Sequence, residues 1–192
     1  MIAFDKADYY NFVFKDLTIG IDSYQKISFE NCTFDKCIFN ETILHHCRID
    51  TCTFTNCQLL NAKIPNTSFR DTTFKSCKIT GITFSDAESL DYLTLDNSTA
   101  IYCSFFGCKL TKFSGTNSSI KDSDFTDADL HEANFQHTDL ENSTFHNTNL
   151  VKADFSYAKN YGIDFKTNRI TKAKFTIPEA LSLLRSLDVS IT

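Results

Sequence analysis

"DFTDADLHEANFQHTDLENSTF", residues 124–145, restates itself every five residues. Phe125, Leu130, Phe135, Leu140 and Phe145 are large and apolar, and Ala128, Ala133, Thr138 and Ser143 stand two places before the last four. An α-helix repeats every 3.6 residues and a strand every two, so neither makes this interval. A chain that turns a corner about every five residues does. Four such sides close a square coil of twenty, and residues twenty apart then stack at the roughly 4.8 Å ladder spacing of neighbouring strands.

The interval extends over most of the chain. Stepping by five from Phe4 to Phe84 meets seventeen large apolar residues in succession. The phase slips by one residue near 85–90, resumes at Leu90 and runs to Phe175, with Ala100, Gly115 and Asn160 as its weak positions. Three columns follow: Phe14, Phe34, Phe54 and Phe74; Phe105, Phe125, Phe145 and Phe165; Leu90, Leu110, Leu130, Leu150 and Ile170. Thirty-five pentapeptides predict nearly nine coils and a rod roughly 40 Å long.

Charge placement tests which positions face inward. Of forty charged residues in the repeat region, an even spread would put about sixteen at the two inward positions, where an unpaired charge is costly. Only Asp22 and Glu88 fall there. With five Gly and two Pro in 192 residues, the corners must be built from other residue types.

On this stretch the chain resembles the pentapeptide-repeat proteins, and the match covers about residues 2–175. The resemblance implies an all-β fold, a right-handed quadrilateral parallel β-helix. Residues 1–175 are then the rod, and 176–192 a C-terminal module. In "TIPEALSLLRSLDVSIT" (176–192), Thr176 and Glu179 fit a capping box. Pro178 suits a first helical turn, and Ala180, Leu183, Leu184 and Leu187 recur at helical spacing. A short amphipathic α-helix is predicted, followed by a possible strand, covering the open last coil. The module resembles that of the Qnr-type quinolone-resistance branch, which implies a homodimer through Leu183, Leu184, Leu187, Val189 and Ile191.

Chemistry is sparse. All eight cysteines (Cys32, Cys37, Cys47, Cys52, Cys57, Cys77, Cys103 and Cys108) occupy the small inward position. Columns parallel to an axis do not converge on a tetrahedral metal point, so the thiols read as structural. The five histidines scatter over outward positions, and neither a Gly-rich phosphate loop nor a zinc-protease motif is present. A core filled by Phe and Leu leaves no substrate pocket. The expectation is a non-enzymatic protein with no cofactor and no metal. The N-terminus carries no classical secretory signal and no apolar run spans a membrane, which points to a cytoplasmic protein.

Net charge is −5, against direct nucleic-acid binding. Residues 1–84 carry nine acids and nine bases. Residues 122–151 carry seven acids and no Lys or Arg: Asp122, Asp124, Asp127, Asp129, Glu132, Asp139 and Glu141. This belt is either solvated surface or a negative face for a basic protein partner. The Qnr-type resemblance implies a DNA mimic that binds DNA gyrase or topoisomerase IV and protects it from quinolones. The alternative is a protein–protein interaction scaffold with an unrelated regulatory or host partner. The long loops of the strongest gyrase protectors are missing from this chain.

Overall fold

The computed structural model of the chain describes residues 4–187. It is a four-sided parallel β-solenoid of about 8 turns, slightly fewer than the pentapeptide count suggests. Each short strand buries its middle residue and turns its neighbours outward, as in Thr33–Asp35 and Thr53–Thr55. The register is twenty: Phe14 faces Phe34, Phe34 faces Phe54, and Phe54 faces Phe74.

Four faces follow from this register. Face 1 carries the column Tyr9, Phe29, Ile49, Phe69 and Leu90. Face 2 carries Phe14 through Phe74 to Leu95. Face 3 carries Ile19, Phe39, Leu59, Ile79, Ala100 and Ile120. Face 4 begins with Tyr24 over Leu44 and continues through the bridges Thr83–Ser104, Ser104–Asp124 and Asp124–Thr144. Inside, aromatic rings stack along the axis. Phe34 and Phe54 lie 4.4 Å apart and nearly parallel, as do Phe105 and Phe125 at 4.7 Å.

The corners explain the scarcity of glycine. The residue two places after most buried centres adopts the left-handed conformation, with φ near +55°, and it is Asn, Asp, Lys, Glu, Tyr or His far more often than Gly. Asn and Asp tolerate this region because their short polar side chains bond locally. The others carry a strain that stacking neighbours must hold in place. From Cys108 onward most corners add a tight bond from the fourth residue's amide to the first residue's carbonyl, as from Ala128 N–H to Phe125 O at 3.1 Å. With φ positive at Asp127 this is a type II turn.

The departures from the simple period have physical causes. At the slip, partners lie twenty-one apart, as Phe69 faces Leu90. A 3₁₀ turn at Phe84–Asp86 absorbs the extra residue. Ala87 then packs against the core while Glu88 is exposed. Asp22 is exposed as well, on a three-residue turn closed by its own amide to Gly20 O at 2.7 Å. Neither acid is inward, contrary to strict period counting. At Gly115 large and small are exchanged. Phe113 fills the small position at 1% exposure, and a Cβ on Gly115 would lie 2.7 Å from Ile120 and 2.9 Å from Phe113. Near the end, Phe145 faces Ile163 rather than Phe165. Two residues have dropped out of that coil, Tyr161 and Ile163 are buried, and Phe165 is only half-buried.

The C-terminal module also differs from expectation. Glu179–Leu187 forms a 3₁₀ helix, not an α-helix. The predicted capping box is replaced, because the Thr176 hydroxyl instead accepts the Tyr157 amide at 2.6 Å. Leu183 packs inward against the rod, whereas Leu184 and Leu187 are exposed. Val189 and Ile191 lie outside the described residues. Among the described residues no helix is long and apolar enough to cross a membrane.

Candidate partner-binding surface

The inward small position is where the chain's cysteines, serines and threonines gather. The Cys57 sulfur donates to Phe34 O and accepts from Cys37 N, both at 3.3 Å. Thr67 Oγ1 does the same between Leu44 O and Cys47 N, at 2.7 and 3.2 Å. Ser98 Oγ does so between Phe74 O and Cys77 N, at 3.0 Å each. At these corners a side chain that both donates and accepts ties one coil to the next, whereas Cys32, Thr42, Cys52 and Thr72 only donate. Thiol and hydroxyl share this capacity. All eight cysteines are buried and unpaired. Burial pushes the Cys103 and Cys108 thiols up to about 11 and that of Cys52 up to about 12, which keeps them protonated and unreactive at neutral pH. Among the described residues no three His, Cys, Asp or Glu side chains gather as a metal set.

The acidic belt divides into two groups. Lysines of adjacent coils reach three of its members. Lys121 contacts Asp139 at 2.9 Å and Glu141 at 2.8 Å, Lys159 contacts Asp139 at 3.8 Å, and Lys152 contacts Glu132 at 2.8 Å. Stacking by twenty puts these cations, distant in sequence, directly above or below the acids. Lys152 holds the Glu132 carboxyl below its ordinary range. Burial alone would raise the Asp139 carboxyl, but hydrogen bonds from Asn160 and Lys121 hold it lower.

The other four carry no ion pair among the described residues. Asp124 lies on face 4, Asp129 on face 1, Asp127 at the corner between them, and Asp122 at the corner before Asp124. Their partners are neutral. Asn142 donates to Asp122 at 3.0 Å, Asn149 to Asp129 at 2.7 Å, Asn147 to Asp127, and the Thr126 amide to Asp124 at 2.9 Å. These contacts fix the carboxylates without neutralising them. The belt is thus uneven: no ion pair forms across face 4 and its corners, whereas lysine meets the acids of face 3 and, through Lys152 and Glu132, the corner that follows face 1. The lysines that divide it lie at or beyond its ends in sequence, so only the coil period could have revealed them.

Exposed apolar residues mark a second region. Ile177, Leu181, Leu184 and Leu187 all face outward at the C-terminal end. Of the five residues expected to join two copies, only Leu184 and Leu187 are placed on that exposed surface.

Comparisons with known proteins agree with this geometry. The family described as "Pentapeptide repeat region" matches residues 23–102 and 47–120, and "Pentapeptide repeats (8 copies)" matches 123–159. A search of curated protein sequences found no match. Among solved structures, a trypsin-treated form of QnrB1, a plasmid-mediated fluoroquinolone resistance protein, superposes with a TM-score of 0.76 at 15% identity, covering 93% of this chain and 99% of that one. A second trypsin-treated form gives 0.69 at 15% identity, covering 94% and 100%. HetL, involved in heterocyst differentiation regulation in the cyanobacterium Nostoc sp. strain PCC 7120, gives 0.60 at 14% identity, covering 88% and 87%. At these identities the likeness establishes the fold alone.

Proposed function

This chain belongs to the pentapeptide-repeat family, and we propose that it is a non-enzymatic binding protein whose acidic side engages a basic protein partner. The observation that carries this reading is the set Asp122, Asp124, Asp127 and Asp129, none of which makes an ion pair among the described residues, on face 4, its corners and the adjoining part of face 1. Charge fixed on a stiff scaffold steers encounter with an oppositely charged surface over a Debye length, about 8 Å at physiological salt. The candidate partner is a type II topoisomerase, DNA gyrase or topoisomerase IV, with the rod standing in for duplex DNA and relieving quinolone action. Its support is the full-length likeness of the coil to the QnrB1 fold. The test is a gyrase supercoiling reaction containing ciprofloxacin. Added protein is expected to restore supercoiling; no change at micromolar protein refutes the topoisomerase reading.

A second reading has its own observation. Lys121, Lys152 and Lys159 interrupt the negative surface, whereas a duplex mimic gains from even charge. That favours an interaction scaffold with an unrelated regulatory or host partner. A pull-down from lysate separates the two readings: topoisomerase recovered by the wild type but lost when all four aspartates become asparagine supports the first.

We further propose a homodimer through the exposed leucines of the C-terminal module. It rests on the outward Leu181, Leu184 and Leu187 beside Ile177.

A further inference from the structure

The one-residue slip leaves more than a change of phase. It opens a groove of about 250 Å³ where face 4 meets face 1, floored by Phe84, Ala87, Leu90 and Cys108 and walled by Phe106. Phe106 is half exposed. Gly107 lines it at the corner, with φ +65° and nothing within 4 Å of where a Cβ would stand.

Charge surrounds this apolar floor. Glu88 and Asp91 line the groove. Thr83 bridges Ser104, so three residues on, Asp86 lies one coil before Gly107, and Asp127 lies one coil after it. The two are separated by two ladder steps, roughly 10 Å. No Lys or Arg occurs on this face in the stretches 81–87, 102–107, 122–127 or 142–147. Lys109, on the far rim, stacks on Asp129. An apolar slot with carboxylates on both sides, and no cation on its face 4 side, complements one kind of occupant.

We infer that this slip groove is the docking point for an exposed basic segment of a partner protein, one apolar side chain seated against Phe106 between Lys or Arg residues that meet the flanking carboxylates. The inference rests on the acidic side being the partner-binding side. It adds Phe106, Glu88 and Asp91 to that side and fixes where on it a partner is read.

The test uses the full chain and two fluorescein-labelled eight-residue peptides, one alternating arginine with leucine and one alternating arginine with serine, followed by anisotropy. The arginine–leucine peptide is expected to bind about tenfold more tightly than the arginine–serine one, since each 1.4 kcal/mol is a factor of ten. Gly107→Lys is expected to weaken its binding at least about tenfold by filling the slot and adding a cation. Lysine already occupies the same left-handed corner at Lys112 and Lys152, so this variant should fold; an unchanged melting temperature checks that. Phe106→Ser should weaken only the arginine–leucine peptide. Equal binding of the two peptides, or unchanged binding by Gly107→Lys, overturns the groove and leaves a general acidic surface. No binding of either peptide at millimolar concentration overturns the docking inference altogether. No topoisomerase is present in this measurement, so its outcome is separate from the supercoiling test.

Discussion

Ser98→Ala removes one oxygen from a buried corner, and the structure says what that oxygen does. Ser98 is 3% exposed. Its hydroxyl accepts the Cys77 amide at 3.0 Å and donates to the carbonyls of Phe74 and Asp96, also at 3.0 Å. Alanine keeps the Cβ and the packing but leaves the Cys77 N–H buried without an acceptor, at about 1–3 kcal/mol. For a domain of this size that lowers Tm by about 2–12 °C, at roughly 2–4 °C per kcal/mol. Ser98→Cys should recover most of the loss, because Cys77 makes the same two bonds with sulfur, to Phe54 O at 3.3 Å and from Cys57 N at 3.4 Å. Urea unfolding and thermal melting followed by circular dichroism would read both variants. If Ser98→Ala is as stable as the wild type, or Ser98→Cys is as weak as Ser98→Ala, the bridging argument fails. The first result would mean that the corner at Phe74–Cys77 has closed into the tight turn seen at Phe125–Ala128.

Four further outcomes are expected. Phe34→Ala should cost roughly 3–5 kcal/mol in urea unfolding, since Phe34 is 1% exposed between Phe14 and Phe54. Cys32→Ala, which loses only long sulfur bonds to Tyr9 O and Glu30 O, should cost under about 1.5 kcal/mol. Leu184→Asp combined with Leu187→Asp should convert a dimer into a monomer by light scattering with the fold intact; a monomeric wild type would remove the dimer. Stability should fall as acid protonates the paired carboxylates. Glu132, Asp139 and Asp154 have lowered folded-state pKa values, so their contribution is complete above the ordinary carboxylate range, near pH 4, and is lost as pH drops through the lower folded values. Asp139→Asn should flatten the acid limb of a Tm-against-pH curve, and an unchanged limb would show that the Lys121 and Lys159 contacts contribute nothing.

The five-residue repeat makes most of the fold legible in the sequence. Phe14, Phe34, Phe54 and Phe74 stack as their spacing requires, and all eight cysteines are buried as the small inward position implies. Periodicity misassigned residues only where the chain leaves its period. Phe165 yields its place to Ile163, and Phe113 and Gly115 trade roles. Local spacing predicts an α-helix at the C-terminal end, whereas Glu179–Leu187 winds as a 3₁₀ helix and the Thr176 hydroxyl is bonded to the preceding coil.

The candidate surface was legible as a composition but not as a shape. A period of five dictates which residues point outward, because a large side chain fits only at the centre and a small one only at the corner of a narrow square. It also identifies the acids of residues 122–141 as external. Which of them stay unopposed depends on neighbours twenty residues away: Lys121 and Lys152 lie above or below Glu141 and Glu132 only once the chain has coiled. The groove beside Phe106 depends likewise on how the 3₁₀ turn at Phe84–Asp86 spends one extra residue. Local side-chain size and backbone tolerance set the repeat, so the sequence alone determined the rod. Contacts between coils set charge pairing and surface relief, so only the tertiary structure decided which acids of the rod are left without an ion pair.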